Sequence, residues 1–175
     1  MTSPADPAPL ILTLVLDEAS FAFFDALRRR HFPPDRNVIP AHLTLFHALP
    51  GAELAQIELD LDRACRDAAP MGVEVIAPRS LGRGVAYTLR SEPLSRLHAR
   101  LAARWQEWLT LQDRQKLQPH VTVQNKVQPD RARALLEELQ ANFHPFAVAG
   151  EGLRLWRYRG GPWDPVRTFP FAGPP

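Results

Sequence analysis

Sulfur and lysine are scarce in this chain: 175 residues contain one cysteine, two methionines and two lysines. A lone Cys65 excludes a disulfide framework and any cysteine-rich zinc or iron-sulfur site, and fits a reducing cytoplasm, the expected location. Cys65 lies in "DRACRDA" and reads as a small buried side chain, not a nucleophile. Long apolar runs are also missing. The longest near the start, Leu10 to Leu16, is far too short to span a bilayer, and "MTSPADPAPL" carries no charged lead into a longer one, so no signal peptide and no membrane partner are expected. The glycines of "GRGVAYTLRSEP" do not have the spacing of a triphosphate-cradling loop, which argues against an ATP site.

At 45% hydrophobic, the chain can bury a sizeable core, and one compact domain over residues 1–175 is expected. Net charge is only +2, although Lys+Arg total 21, of which all but Lys116 and Lys126 are arginine. The planar arginine fork suits phosphate, but so small a net charge argues against a surface that coats nucleic acid.

Hydrophobic periodicity divides the chain into alternating strands and helices. "LILTLVL" (10–16) reads as a strand, and Phe21, Phe24 and Leu27 mark a helix over 18–30 ending in a solvated "RRR". Pro33 and Pro34 stop it, and "NVIPAHLTLFHAL" reads as the next strand. Leu54, Ile57, Leu61 and Ala64 form a second helical stripe, and "GVEVIA" a further strand. After "SLGRG" the order repeats: "VAYTLR", a long helix carrying Leu94, Leu97, Leu101, Trp105 and Trp108, then "PHVTVQNKV". Pro129 opens a helix with Leu135, Leu136 and Leu139, and "GLRLWRY" and "VRTFPF" close the chain as strands. The repeat-like halves run roughly 10–80 and 84–172. Two similar lobes follow, each a mostly antiparallel sheet with helices on its outer face, in an α+β fold around a central cleft.

Each half contains a His-x-Thr strand, with His42 and His120 78 residues apart. Strict alternation puts His42, Thr44 and Phe46 on one face and Leu43, Leu45 and His47 on the other, which removes His47 from the site. By the same count His120, Thr122 and Gln124 share a face opposite Val121, Val123 and Asn125. One such pair is ordinary core chemistry. Two in equivalent places can line a single cleft.

The segments "HLTL" and "HVTV", each a His-x-Thr followed by an apolar residue, resemble the signature of the two-histidine phosphoesterases, which include 2'-5' RNA ligases and 2',3'-cyclic phosphodiesterases. "GRGVAYTL", "PHVTVQNKV" and "GLRLWRYRGGPW" resemble the bacterial 2'-5' RNA ligase-like branch, and the likeness covers nearly the whole chain. It implies that terminal strands can exchange between lobes, so lobes need not match sequence halves. It also implies RNA ends or cyclic nucleotides as substrate, with the chain acting as a monomer. Reversible 2'-5' ligation would use the same residues. An RNA-end or nucleotide-binding module with little turnover is the alternative.

The chemistry suits these side chains. Opening a cyclic phosphate needs one group to deprotonate the nucleophile and another to protonate the departing ribose oxygen, and histidine serves either role near neutral pH. Thr44 and Thr122 can donate to non-bridging phosphate oxygens. The scheme needs no metal or cofactor, and the sequence near both motifs lacks the carboxylates that hold magnesium. His42 is favoured as acid and His120 as base, although pseudo-symmetry leaves that open. Phe46, Gln124, Arg83 and Tyr158 are further candidates for contact with base, ribose or phosphate. Asn125 is assigned to strand support. His31, His98 and His144 lack ligand-like spacing.

Overall fold

The computed structural model describes residues 6–175; the opening segment read for a signal peptide lies partly outside them. In chain order the elements are β1 (Leu10–Leu16), α1 (Glu18–His31), β2 (Leu43–Leu49), α2 (Leu54–Asp67), β3 (Met71–Ser80) and β4 (Val85–Arg90). There follow α3 (Glu92–Arg104), β5 (His120–Gln124), α4 (Pro129–Ala141), β6 (Phe146–Arg157) and β7 (Asp164–Pro170). Asp17 starts α1 by accepting from Ser20 N at 3.1 Å, while its other oxygen accepts from Ala149 N at 2.9 Å, fixing the helix to β6. Ser91 caps α3 in the same way.

All strand pairings are antiparallel, in the order β2-β1-β6-β3-β4-β5, with β7 also on β6. Strand β6 belongs to both lobes. Phe146–Gly150 pairs with β3, and from Gly150 onward β6 pairs with β1, with β7 beside the later stretch. One lobe is therefore β2-β1-β6-β7 and the other β5-β4-β3-β6, with a motif strand at the free edge of each. Gly152 is required where β7 crosses β6, because a Cβ there would sit 2.5 Å from Phe169 O.

Helices are exchanged between the lobes. Helix α1, from the first half, packs on β5, its Phe24 ring 5.6 Å from Tyr87 of β4. Helix α3, from the second half, reaches β2, where His98 stacks on Phe46 at 4.5 Å, and Trp105, just past the helix, packs edge-on against the same ring at 5.3 Å. Trp105 Nε1 also donates to Asp60 of α2 at 2.9 Å. Leucines and valines from both halves form one apolar core. Burying it supplies most of the drive to fold, at about 25 cal/mol per Å² of apolar surface.

Several boundaries differ from the sequence reading: β3 and β6 are longer than "GVEVIA" and "GLRLWRY", β6 starting already at Phe146, and three others bear on the site. β2 starts only at Leu43: Pro40 has no N–H to give a ladder, and the Ala41 N–H is taken by Asp25 Oδ1. β5 stops at Gln124 because Lys126 turns the chain at φ 61°, with its N–H donating to Asn125 Oδ1. α3 ends at Arg104, so Trp108 belongs to the following turn. Among the described residues, no helix is long and apolar enough to cross a membrane.

Candidate active site

The sheet curls so that its two edges, β2 and β5, come into contact. His42 directly precedes β2, and its Nδ1 lies 2.8 Å from Pro40 O; His120 opens β5, with Nδ1 2.9 Å from Gln118 O. A carbonyl can only accept, so each Nδ1 carries the proton and each Nε2 is left free. The same bond to the carbonyl two residues earlier occurs in both repeats. Thr44 and Thr122 are partly exposed, while Leu43, Leu45, Val121 and Val123 are buried behind them.

Both motif strands then break their alternation at the same point. Thr44 faces Thr13 and Phe46 faces Leu12, so β2 has one extra residue, Leu45; Thr122 faces Ala86 and Gln124 faces Val85, so β5 has one extra residue, Val123. A β-bulge of this kind turns two consecutive side chains to one face. Leu45 and Phe46 both enter the core, as do Val123 and Gln124. The expected substrate contacts at Phe46 and Gln124 are thereby corrected, since these residues are 0% and 1% exposed and Phe46 stacks on His98 at 4.5 Å. His47 is corrected the other way. The phase shift brings it to the cleft side, where it lines a cavity of about 170 Å³ with Thr44 and His120.

Arg28 belongs to the run expected to be solvated, yet it is 4% exposed. Its Nε donates to Asn37 Oδ1 at 2.8 Å and Ile39 O at 3.1 Å, and its Nη1 donates to Thr122 O at 3.0 Å. One guanidinium thus joins the loop leading into His42 to the strand carrying His120. Its stem continues the stripe of Phe24 one turn later, a sequence signal for burial. Asp25, three residues earlier, accepts from Ala41 N at 3.0 Å and secures the same loop.

A second cavity, of about 270 Å³ and mainly apolar, opens beside His42. Trp156, Trp163, Phe21 and Arg154 help to line it, and the Trp163 ring lies 4.7 Å from that of His42. Trp156 is held by donating from Nε1 to Thr13 Oγ1 at 2.9 Å and by Arg154 over its ring at 4.3 Å. Both tryptophans lie within "GLRLWRYRGGPW", but the residue expected there from sequence is Tyr158. Tyr158 is exposed and does not line this cavity, and Arg83 is exposed and donates from Nε to Val127 O at 3.1 Å. Strand parity identifies Trp156 as a same-face neighbour of Arg154.

Burial lowers the His42 pKa to about 4; the bond to Pro40 opposes this, and positive charge on Arg28, His120 and His47 adds to it. The mutual influence of His42 and His120 agrees with the meeting of their strands. Burial also pushes the Cys65 thiol up to about 12, which removes it as a nucleophile near neutral pH. Among the described residues, no group of three His, Cys, Asp or Glu side chains is arranged to hold a metal ion.

The sequence profile of the 2'-5' RNA ligase superfamily matches residues 16–162. The chain belongs to that superfamily. Its fold is shared with TT0787 of Thermus thermophilus, at TM-score 0.66 and 19% identity, covering 94% of this chain and 98% of that one. It is also shared with Escherichia coli LigT solved with 3'-AMP, at TM-score 0.59 and 17% identity over 95% and 99% of the two chains. LigT complexed with NADP+ aligns at TM-score 0.58 and 17% identity, with the same coverage. No curated protein matches. Membership in the superfamily agrees with the resemblance carried by "HLTL" and "HVTV" and supports a phosphoesterase-type enzyme.

Proposed function

We propose that this member of the 2'-5' RNA ligase superfamily opens 2',3'-cyclic phosphates or cleaves 2'-5' phosphodiesters at RNA ends, without a metal, and can run the ligating direction through the same groups. The observation that carries this reading is the matched pair of imidazoles. Each has Nδ1 fixed to a backbone carbonyl and Nε2 free, on sheet edges that meet. In hydrolysis, His42 Nε2 takes a proton from water as the water oxygen bonds to phosphorus. The bond from phosphorus to one ribose oxygen breaks, and His120, entering the step as the imidazolium, delivers its Nε2 proton to that oxygen. Thr44 and Thr122 donate to the non-bridging oxygens, where negative charge accumulates.

This assignment reverses the acid and base roles favoured from sequence alone. A His42 pKa of about 4 leaves the imidazole neutral at pH 7, ready to accept a proton; as an acid it would already have lost that proton to solvent. The kcat/KM profile reports the free enzyme, so activity should persist below pH 6 and fall as pH drops through about 4. An acidic limb near the ordinary histidine value of about 6.5 would rule out His42 as the base.

LigT has been solved with 3'-AMP, and a nucleotide of that kind suits the apolar cavity beside His42, with its base against the tryptophan rings. Stacking of a base on an aromatic ring is worth about 1 to 3 kcal/mol. Trp163→Ala should therefore raise KM for 2',3'-cyclic AMP by about 10-fold while changing kcat less; an unchanged KM would place the base elsewhere. The direct test of the activity is to incubate the protein with 2',3'-cyclic nucleotides and with cyclic-phosphate-ended RNA in EDTA. Hydrolysis supports the proposal, and binding without turnover favours a binding module.

A further inference from the structure

Outside the paired motifs, the most developed constellation is His47, Asp113 and Lys116 in the cavity of about 170 Å³ that also contains Thr44 and His120. Asp113 is almost fully buried. Its carboxylate accepts from His47 N at 2.9 and 3.0 Å and from Ala48 N at 2.9 Å, which satisfies the free edge of β2. Edge protection requires nothing from the imidazole. Even so, His47 Nδ1 lies 3.1 Å from Asp113 Oδ1 and donates to it, so the ring is oriented, its Nε2 is free, and its cationic form has a carboxylate behind it. The side chain remains 43% exposed. Leu45 and Leu117 form an apolar part of the cavity wall, and the polar part adds an exposed ammonium from Lys116 and amides from Gln112, Gln115 and Gln118. Asp113 is the only carboxylate among its described lining residues, and it is occupied.

We propose that His47, positioned by Asp113 and assisted by Lys116, forms a second phosphate subsite next to the reacting phosphate. The substrates favoured would then carry another phosphate within one nucleotide of the scissile one, in preference to nucleosides bearing the reacting phosphate alone. This rests on the phosphoesterase reading above, because Thr44 and His120 tie the cavity to the reaction centre. The chemistry matches: an imidazole backed by a carboxylate and a nearby ammonium supply charge-assisted donors to phosphate oxygens, with amides to complete the shell.

The test uses binding of unreactive ligands, so it does not depend on turnover. Calorimetry on the full chain compares 3'-AMP with adenosine 3',5'-bisphosphate, for the wild type, His47→Gln and the exposed-site variant Lys116→Gln. The wild type should bind the bisphosphate at least about 10-fold more tightly, the size expected of one hydrogen bond to a charged group. Each variant should reduce that ratio towards one, His47→Gln the more. Equal affinities in the wild type, no binding of the bisphosphate, or a ratio preserved in both variants would overturn the subsite. A preserved ratio combined with normal hydrolysis of 2',3'-cyclic AMP would remove the subsite alone. A shift in ratio without any hydrolysis would instead keep the subsite and remove the proposed reaction.

Discussion

Alanine at His42 or at His120 is expected to reduce hydrolysis of 2',3'-cyclic AMP by about 10² to 10⁴-fold, the usual worth of one positioned proton-transfer group. The fold should survive. Each imidazole makes a single hydrogen bond to protein, from Nδ1 to a carbonyl two residues earlier, and His120 lies at the partly exposed start of its strand. The two losses should not multiply in the double variant, because base and acid act in one step and removing either leaves the other without its partner reaction. Steady-state rates of the two single variants and the double, with circular dichroism to establish folding, check this. Near-normal turnover by either folded single variant would end the two-histidine mechanism.

The second large effect is expected at Arg28, which never touches the substrate in this scheme. Arg28→Met fills similar space but leaves Ile39 O, Thr122 O and Asn37 Oδ1 without their donor. Each buried group left unsatisfied costs about 1 to 3 kcal/mol. A total loss near 3 kcal/mol corresponds to a fall in Tm of roughly 6 to 12 °C for a chain of this size. Arg28→Lys should lie between the two, because an ammonium cannot span both the 37–39 loop and β5 as the planar fork does. Activity of the folded fraction should fall as well, since the tie between the His42 loop and the His120 strand is lost. Thermal melts paired with kcat measured well below Tm separate the two consequences. A melt within about 2 °C of wild type would mean that water replaces the guanidinium without penalty.

The sequence carried the repeat, the element order and the two motifs, because those depend on local periodicity and on residue types that recur. Tertiary geometry decided the rest. Nothing in "HLTLF" announces that Leu45 is an extra residue relative to β1; that depends on which residue of β1 lies opposite, and it reverses the side chains that follow until a second irregularity before Leu49 restores the phase. Phe46 and Gln124 are turned into the core by an irregularity of that kind in each motif strand, and His47 to the cleft side by the one in β2. The exchange of α1 and α3 between lobes was equally hidden, since amphipathic stripes state that a face is buried but not against what. Arg28 was partly legible as the i+4 neighbour of Phe24, although burying a guanidinium requires the particular acceptors that only the folded loop and strand provide. Trp163 had no periodic signal because it lies in the turn between β6 and β7.

Strand β6 acts as a hinge pin shared by two doors. Each motif lies at the far end of a run of strands that ends on this one segment, with the handover at Gly150. The gap between the histidines therefore depends on the twist of β6 as well as on the contact of β2 with β5 and the Arg28 tie across them. A substitution at Gly150, where a Cβ would press on the flexible Leu14 side chain at 3.0 Å, would act on the spacing of the imidazoles from a point remote from the chemistry along the sheet.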